Sequence, residues 1–257
     1  MCKMNFNYYK MKTTNAPDFH IPVMGIGFTI DTPVKVAQYG ISSVISLVDD
    51  KLMEKLRAFY SKNLEIPYQE ISEKVEDFRA KRITAYLDLM NDIVSKKYEE
   101  FKLNIKEKSD EIEKYMEMLP DYSEIKQKFY EFSKNNKLRE FQQWVSEHLP
   151  KGSIDVNIMT KLDKENYKRG EKLPLEYNDA HAALRGFANS KLHSTVILSA
   201  GMNPRLYSYI EQFEDFYPDE NGEIKKKIAI KVSDYRSALI QGKFFAKKRT
   251  LGFGIPY

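Results

Sequence analysis

The residues most able to do chemistry lie where predicted strands end. Two stretches of the chain alternate short apolar runs with helical patterns, and in parallel α/β proteins ligands bind beyond the carboxyl ends of the strands. Gly25 and Gly27 follow the first run, where glycines let a planar ring approach the backbone or form a bulge or tight turn. The candidates at the five strand ends are Met24, Gly25, Gly27, Asp49, Asp50, Asn157, Lys161, Ser199, Gly201, Lys231 and Ser233.

Asp49 and Asp50 form a carboxylate pair at the end of the second predicted strand. Adjacent carboxylates suit a metal ion or a proton transfer. The same two residues also precede a predicted helix that begins near Lys51, and negative charge and capping groups are favoured at a helix N-terminus. Of these two interpretations we favour capping.

Several classes of site are missing from the sequence. The spacing Gly25-x-Gly27 does not continue to a third glycine, because Ile30 occupies that position, so a dinucleotide fingerprint is not supported. The four histidines are far apart and have no metal-ligand spacing. The single cysteine, Cys2, excludes an internal disulfide and a cysteine-based zinc cluster. No nucleophile elbow, phosphate loop or zinc-peptidase motif occurs.

The composition is that of a folded protein. Of the 257 residues, 42% are hydrophobic and 30% are charged, and the formal net charge is +4. This near balance argues against a dedicated nucleic-acid binder, and the basic runs at 225–227 and 247–249 lack interleaved aromatic residues, so we predict solvated helix or turn ends there. No stretch approaches the roughly 20 apolar residues that span a bilayer, and the N-terminus lacks the apolar run of a secretory signal. We therefore expect a cytoplasmic protein without membrane contact.

The periodicity of apolar residues divides the chain into three zones. It predicts the first part of an α/β domain over 1–50, a helical insertion subdomain over 51–149, and the second part of the α/β domain over 150–257. The first zone contains a strand, a helix that Gly40 ends, and a second strand. The third zone predicts strands at 153–160, 195–201 and 227–233 and helices at 178–192, 204–216 and 235–248. An exposed polar loop is expected over 161–177.

The helical zone carries one long apolar stripe. Its members recur at steps of three and four residues until Pro120 ends the stripe. Apolar residues after Pro120 could pack back on it as an antiparallel hairpin, which makes the stripe ordinary helix-to-helix core, and a partner-binding coiled coil is the alternative. The stripe consists of Ile83, Leu87, Met90, Val94, Tyr98, Phe101, Ile105, Ile112, Tyr115 and Leu119.

The number of strands limits the fold. Strands that alternate with helices predict right-handed βαβ units and a parallel sheet. Outside 51–149 the chain is long enough for about five units of roughly 31 residues each, and the pattern contains five strands. Two architectures fit: an open, doubly wound sheet, and a partial, five-unit TIM-barrel-like sheet with the helical zone inserted after its second strand. An unfinished barrel would leave the fifth strand as an unpaired edge, which favours aggregation or dimerisation.

Three short motifs occur in order along the βα repeat. The first is the segment 19–27 with its Pro-Val-Met-Gly strand end, followed by the helix that closes on Gly40 and by the second strand. The second is Val156-Asn157-Ile158-Met159, and the third is Ile230-Lys231-Val232-Ser233. In this order the motifs resemble the flavin-dependent (β/α)₈ barrels of the nitronate monooxygenase group and the related flavin domain of glutamate synthases. The resemblance does not cover the helical zone.

The resemblance implies the partial TIM-barrel-like fold and an FMN cofactor. It implies that Asn157 hydrogen-bonds the edge of the isoalloxazine ring and that Lys231 stabilises negative charge on the reduced ring, whereas the alternative for Lys231 is an exposed lysine on an edge strand. The activity implied is transfer of a hydride or electrons between a small substrate and the flavin. The cofactor-binding residues implied are Met24, Gly25, Gly27, Asn157, Ser199, Gly201 and Lys231.

The resemblance also has gaps that concern activity. The family's phosphate-binding glycine loops and catalytic histidine lie on later βα units, and no segment of this chain corresponds to those units. We therefore expect a truncated, inactive oxidoreductase-like protein. The alternative is a non-catalytic interaction protein, whose helical hairpin docks a protein partner or a second copy of the chain and whose α/β part is a scaffold.

Overall fold

The fold is built around a parallel sheet. A computed structural model describes residues 20–23, 25, 29–47, 49–107, 109–199, 201–247 and 253–254. In this described part, six parallel strands form one sheet and two further strands form an antiparallel hairpin. The sheet strands are β1 (His20–Ile21), β2 (Ser42–Ser46), β3 (Ile154–Met159), β6 (Thr195–Ser199), β7 (Lys227–Ile230) and β8 (Phe253–Gly254), and the hairpin strands are β4 (Tyr167–Lys168) and β5 (Glu171–Lys172).

Helices connect the strands, and the first of them begins at Pro33 and is followed by Gly40, as the sequence predicts. The first helix continues into a 3₁₀ turn over Ala37–Tyr39, which Gly40 ends with a left-handed φ of 78°. The helices are α1 (Pro33–Val36), α2 (Asp50–Asn63), α3 (Phe78–Asn104), α4 (Asp110–Met118), α5 (Glu124–Lys134), α6 (Leu138–His148), α7 (Asp179–Ala188), α8 (Pro204–Tyr209) and α9 (Tyr235–Lys247). α8 is shorter than predicted, because two 3₁₀ turns, Ile210–Gln212 and Glu214–Phe216, follow it.

Strand order in the sheet follows chain order. The order is β1-β2-β3-β6-β7-β8, and each neighbouring pair is parallel, as in the pairing of Val44 with Asp155 and of Ile197 with Ala229. A doubly wound sheet reverses its strand order at a switch point. In the described sheet the strands succeed one another without such a reversal. The predicted parallel α/β class is confirmed, and all five predicted strands are present.

The C-terminal tail adds a strand that the sequence did not predict. Ile228 and Ala229 of β7 pair in parallel with Phe253 and Gly254 of β8. The prediction that the fifth strand leaves an unpaired edge is therefore wrong. β7 pairs with β6 on one side and, through Ile228 and Ala229, with β8 on the other.

The two faces of the sheet differ in polarity, because successive side chains of a strand point to opposite faces. Ile45, Val156, Leu198 and Ile230 belong to the hydrophobic core under the helices, and we call their side the helix face. The opposite side, here called the polar face, carries the alternate residues. These include Ser46, Asp155, Asn157, Ser199 and Lys231.

Asp155 ties the amino ends of three strands together on the polar face. Its Oδ2 lies 2.9 Å from Nε2 of His20 on β1, and its Oδ1 accepts the Ser153 hydroxyl at 2.8 Å and the Thr195 N–H at 2.9 Å. The carboxylate is only 9% exposed. Since β1 is short, these contacts across β2 help to fix its position.

The described residues form two hydrophobic clusters, and α3 contributes to both. Met53, Ile83 and Leu87 pack with the sheet, whereas Tyr98 and Phe101 pack with α4, α5 and α6. The part of the apolar stripe from Tyr98 onward is therefore helix-to-helix core, as predicted, whereas Ile83, Leu87, Met90 and Val94 pack in the core of the sheet. The sheet's core also continues into α2 and the first half of α3, so these elements share the packing of the α/β part.

The described helices offer no membrane crossing. α3 has 27 residues, which is long enough for a bilayer. It carries charged residues along its length, including Arg82, Asp88 and Lys97, and none of the helices in the described part has the apolar character that a span requires.

Candidate functional site

The polar face brings together Asn157, Ser199 and Lys231. Ser199 on β6 pairs with Met159, which lies two residues after Asn157 on β3, and the Lys231 N–H donates to the Leu198 carbonyl at 3.0 Å. The three predicted residues thus come from neighbouring strands and share one face. Each lies in the carboxyl half of its strand or directly beyond it, which is the end where parallel α/β proteins bind ligands.

Asn157 is the buried centre of this group. It is 2% exposed, and its Nδ2 donates to the Ser46 hydroxyl at 3.0 Å. The Ser46 N–H donates to the Thr29 carbonyl at 2.6 Å, and Thr29 donates to the Gly25 carbonyl through its N–H at 3.1 Å and its hydroxyl at 3.0 Å. Gly25, Thr29, the end of β2 and Asn157 are therefore connected by hydrogen bonds.

Lys231 is exposed and lies on the polar face directly after β7. Its neighbour Ile230 is 1% exposed and packs in the core on the helix face. The alternative of an exposed lysine is thus borne out in its exposure, but β7 is not an edge strand, because it lies between β6 and β8.

Ser199 and Gly201 have structural contacts at the junction of β3 and β6. The Ser199 carbonyl accepts the Thr160 N–H at 2.9 Å, and its hydroxyl donates to the Ile158 carbonyl at 3.5 Å. Gly201 has a φ of 104°, and a Cβ there would lie 2.4 Å from Cε of Lys161. The glycine therefore makes room for the Lys161 side chain. Cofactor contacts of Ser199 and Gly201 stay a prediction.

The remaining predicted cofactor residues, Met24 and Gly27, lie outside the described residues. The described set supplies amide and hydroxyl hydrogen-bonding groups and one cation. This chemistry fits the polar edge of a heteroaromatic ring that gains negative charge on reduction. Within the described ranges, no group of three or more histidine, cysteine, aspartate or glutamate residues is arranged to hold a metal ion.

Asp49 and Asp50 have separate structural roles. Asp49 caps α2, since its carboxylate accepts the Leu52 N–H at 2.7 Å. Asp50 Oδ2 accepts from Arg82 at 2.7 Å, and Arg79 lies 3.7 Å from Oδ1. The capping interpretation is confirmed for Asp49, and the carboxylate of Asp50 neutralises the arginines of α3.

A second polar pair, Asp163 and His181, was not found from the sequence. Asp163 Oδ1 accepts the Ala180 N–H at 3.0 Å, and Oδ2 lies 2.9 Å from Nδ1 of His181. Burial alone would raise the pKa of Asp163, but the interactions with His181, Asn178 and the Ala180 N–H outweigh it and hold the pKa below its usual value. Asp163 lies in a stretch predicted only as a loop. The sequence feature that could have indicated a polar cluster here is Asn178, an N-capping residue type at the start of α7.

Replacing Asp163 with asparagine should change how stability depends on pH. A carboxyl group whose folded pKa is depressed contributes stability above its unfolded pKa of about 3.9, and that contribution is lost as pH falls through the folded value. Urea unfolding between pH 6 and pH 3 measures the free energy of unfolding of both proteins. We expect the advantage of the wild type over Asp163→Asn to shrink below about pH 4. An advantage that stays constant over this range contradicts the assignment.

Comparison of the chain with protein-family models, curated proteins and solved structures finds no match. The resemblance to flavin-dependent barrels therefore stays a prediction that rests on the short motifs around Asn157 and Lys231. What supports a function is the geometry of the polar face and the order of the strands.

Proposed function

We propose that this chain binds FMN at the carboxyl end of the polar face, as an oxidoreductase-like protein similar to nitronate monooxygenases. The observation that carries the proposal is the placement of Asn157, Ser199 and Lys231 on one face of three neighbouring strands. Motifs separated by many residues in the sequence thus meet where a parallel sheet binds its ligands.

The sheet topology supports the barrel part of this proposal. A (β/α)₈ barrel has parallel strands in chain order, each followed by an outer helix. The order β1-β2-β3-β6-β7-β8 and the helices α7, α8 and α9 after successive strands agree with a segment of such a barrel. In that architecture the polar face becomes the barrel interior, which is where Asn157 and Lys231 would face a ligand.

The residues of the polar face have distinct tasks in this proposal. When bound, FMN supplies hydride or electron transfer to and from a small substrate. Asn157, held by Ser46, orients the ring through a hydrogen bond to its polar edge. Lys231 would supply a positive charge near the bound flavin. Gly25 is linked to Ser46 through Thr29 and would lie on the β1 side of the site.

Titration with FMN tests the proposal, and Lys231→Met is the informative variant. Loss of one charge-assisted interaction of about 1.5 kcal/mol should raise the Kd for FMN about tenfold, measured by quenching of flavin fluorescence. Lys227→Met is the matched control, because Lys227 is exposed on the same strand and the same face but at the opposite end. Its Kd should stay unchanged. Wild-type protein that binds no FMN, or equal effects of the two variants, would refute the proposal.

A second function is favoured by a different observation at the far end of the helical zone. Met118 at the end of α4 and Tyr122 in the following turn are 83% and 84% exposed, and Tyr130 on α5 is 50% exposed. Large apolar side chains exposed on neighbouring elements favour a surface that contacts another protein. Purified protein that is colourless and does not bind added FMN would favour this interaction function over the oxidoreductase.

A further inference from the structure

His181 is a buried imidazole whose hydrogen bonding is incomplete. The residue is 0% exposed. Nδ1 lies 2.9 Å from Asp163 Oδ2 but is poorly aligned with it, and Nε2 has no hydrogen-bond partner among the described residues. Leaving a buried polar group unpaired costs about 1–3 kcal/mol, so an unpaired group in a native structure calls for an explanation.

The carboxylate of Asp163 lies beside Nδ1 of His181. A neighbouring carboxylate favours the tautomer with hydrogen on Nδ1, and Nε2 then offers a lone pair. Asp163 is itself held by the Ala180 N–H and by Asn178, at 3.0 and 3.5 Å. The pair is therefore rigidly placed, with one unused hydrogen-bond acceptor.

His181 lines a cleft between the starts of α7 and α8. The cleft is also lined by Glu176 from the turn before α7, and by Arg205, Ser208 and Gln212 from α8 and the turn after it. Arg205 is exposed, and after Lys172 its positive charge also helps to lower the pKa of Glu165. A cation, a carboxylate, a hydroxyl, an amide and a buried imidazole thus line one space.

Tyr209 forms a fixed wall of the same cleft. Its ring packs on His181, with centroids 5.2 Å apart, and its hydroxyl accepts from Arg185 at 2.8 Å. Arg185 is in turn held by both carboxylate oxygens of Asp77. Since Tyr209 and Arg185 are occupied with each other, Arg205 is the cation of the described lining that can pair with an anionic ligand, and Nε2 of His181 is an acceptor without a partner among the described residues.

We propose that this cleft binds a small organic anion that carries a hydroxyl group. The carboxylate of the ligand pairs with Arg205, and the ligand hydroxyl donates to Nε2 of His181. A guanidinium binds carboxylates through paired N–H donors, and a buried acceptor discriminates strongly against an analogue that lacks the matching hydroxyl. This site is separate from the polar face and does not depend on FMN binding.

Lactate and propionate form a matched pair of probes, because they differ only in the hydroxyl group. Lactate should raise the melting temperature of the wild-type protein and bind measurably in calorimetry. Propionate should bind at least tenfold more weakly, which corresponds to about 1.4 kcal/mol. Equal binding of both probes, or no binding of lactate, overturns the proposal.

Two variants locate the binding within the cleft. Arg205→Ala should weaken lactate binding at least tenfold, whereas Arg236→Ala should leave it unchanged, because Arg236 is exposed on α9 away from the cleft. His181→Gln should remove the preference for lactate over propionate. If that buried variant does not fold, the two probes and Arg205→Ala still decide the outcome. Lactate binding that Arg205→Ala leaves intact would place the ligand elsewhere and overturn the proposal.

Discussion

Replacing Gly152 with alanine is expected to destabilise the fold by about 3 kcal/mol, because the added methyl group has no space. A Cβ at this position would lie 2.1 Å from the carbonyl oxygen of Ile41 and 2.4 Å from its carbonyl carbon. Both are backbone atoms, so a change of rotamer cannot relieve the overlap. The strand that follows Gly152 must move away from β2, or the start of β2 must shift.

The surrounding hydrogen bonds show what such a shift would break. The Gly152 N–H donates to the Ala37 carbonyl at 2.8 Å, and the next residue, Ser153, accepts from the Ser43 N–H at 3.0 Å. The Ser153 N–H donates to the Ser42 hydroxyl at 2.9 Å. These bonds begin the pairing of β2 with β3. Displacing Gly152 therefore weakens the junction at which the helical zone returns to the sheet.

Urea unfolding of Gly152→Ala against Gly170→Ala tests this expectation. Gly170 lies in the hairpin turn with a φ of 85°, and a Cβ there would meet no atom within 4 Å. Its substitution should cost only the strain of a left-handed conformation, about 1 kcal/mol. If Gly152→Ala is as stable as the wild type or loses no more than the control, the close contact between Gly152 and Ile41 is not present in solution.

The strands could be predicted because the alternation of apolar and polar residues along a strand is visible in a short stretch of sequence. In β3, Ile154, Val156 and Ile158 alternate with Asp155 and Asn157, and the first set enters the core while the second set lies on the polar face. The same alternation placed Lys231 opposite its apolar neighbours. Residues that belong to one strand and one face are therefore accessible to sequence reasoning.

The sharing of α3 between two cores could not be predicted from the sequence. Its apolar stripe is continuous from Ile83 to Phe101, so nothing in the spacing marks where contact with the sheet ends. The division depends on partners far along the chain. Gly186 of α7, for example, lets that helix approach so closely that a Cβ would lie 2.6 Å from the Ile83 side chain. Such a contact is set by tertiary packing.

The candidate site shows the same division. The position of Asn157, Ser199 and Lys231 on one face of neighbouring strands could be inferred, because it follows from parallel strands in chain order. The need for glycine at position 201 could not be inferred, because it arises from the Lys161 side chain, which lies where a Cβ would be. His181 was likewise hidden, because its neighbour Asp163 lies in a loop whose path the sequence does not determine.

Lys226 is the residue at which the sequence-based prediction is most clearly corrected. The basic run 225–227 predicts solvated side chains, but Lys226 is 0% exposed. Its ammonium donates to the carbonyls of Ala188 and Ser190 at 2.9 and 2.8 Å and to Asp215 Oδ2 at 2.9 Å. The lysine thus satisfies carbonyls at the end of α7 that the helix itself leaves unpaired.

Lys226→Met should destabilise the protein by about 3 kcal/mol, since it removes three hydrogen bonds from buried or partly buried acceptors. Lys225→Met is the matched control. Lys225 binds the same carboxylate oxygen at 2.8 Å, but its side chain is 40% exposed, so its loss should cost less than about 1 kcal/mol. Urea unfolding at pH 7 measures both changes in free energy.

The two variants also differ in their dependence on pH. Burial would raise the pKa of Asp215, but the hydrogen bonds from Lys225 and Lys226 hold it below its usual value, so its ionised form contributes stability that is lost in acid. With Lys226 replaced, much of that contribution is absent already at neutral pH, and the deficit relative to the wild type should narrow as pH falls below about 4. If Lys226→Met and Lys225→Met lose equal stability at neutral pH, Lys226 is solvated, and the packing of β7 against the end of α7 must differ from that described.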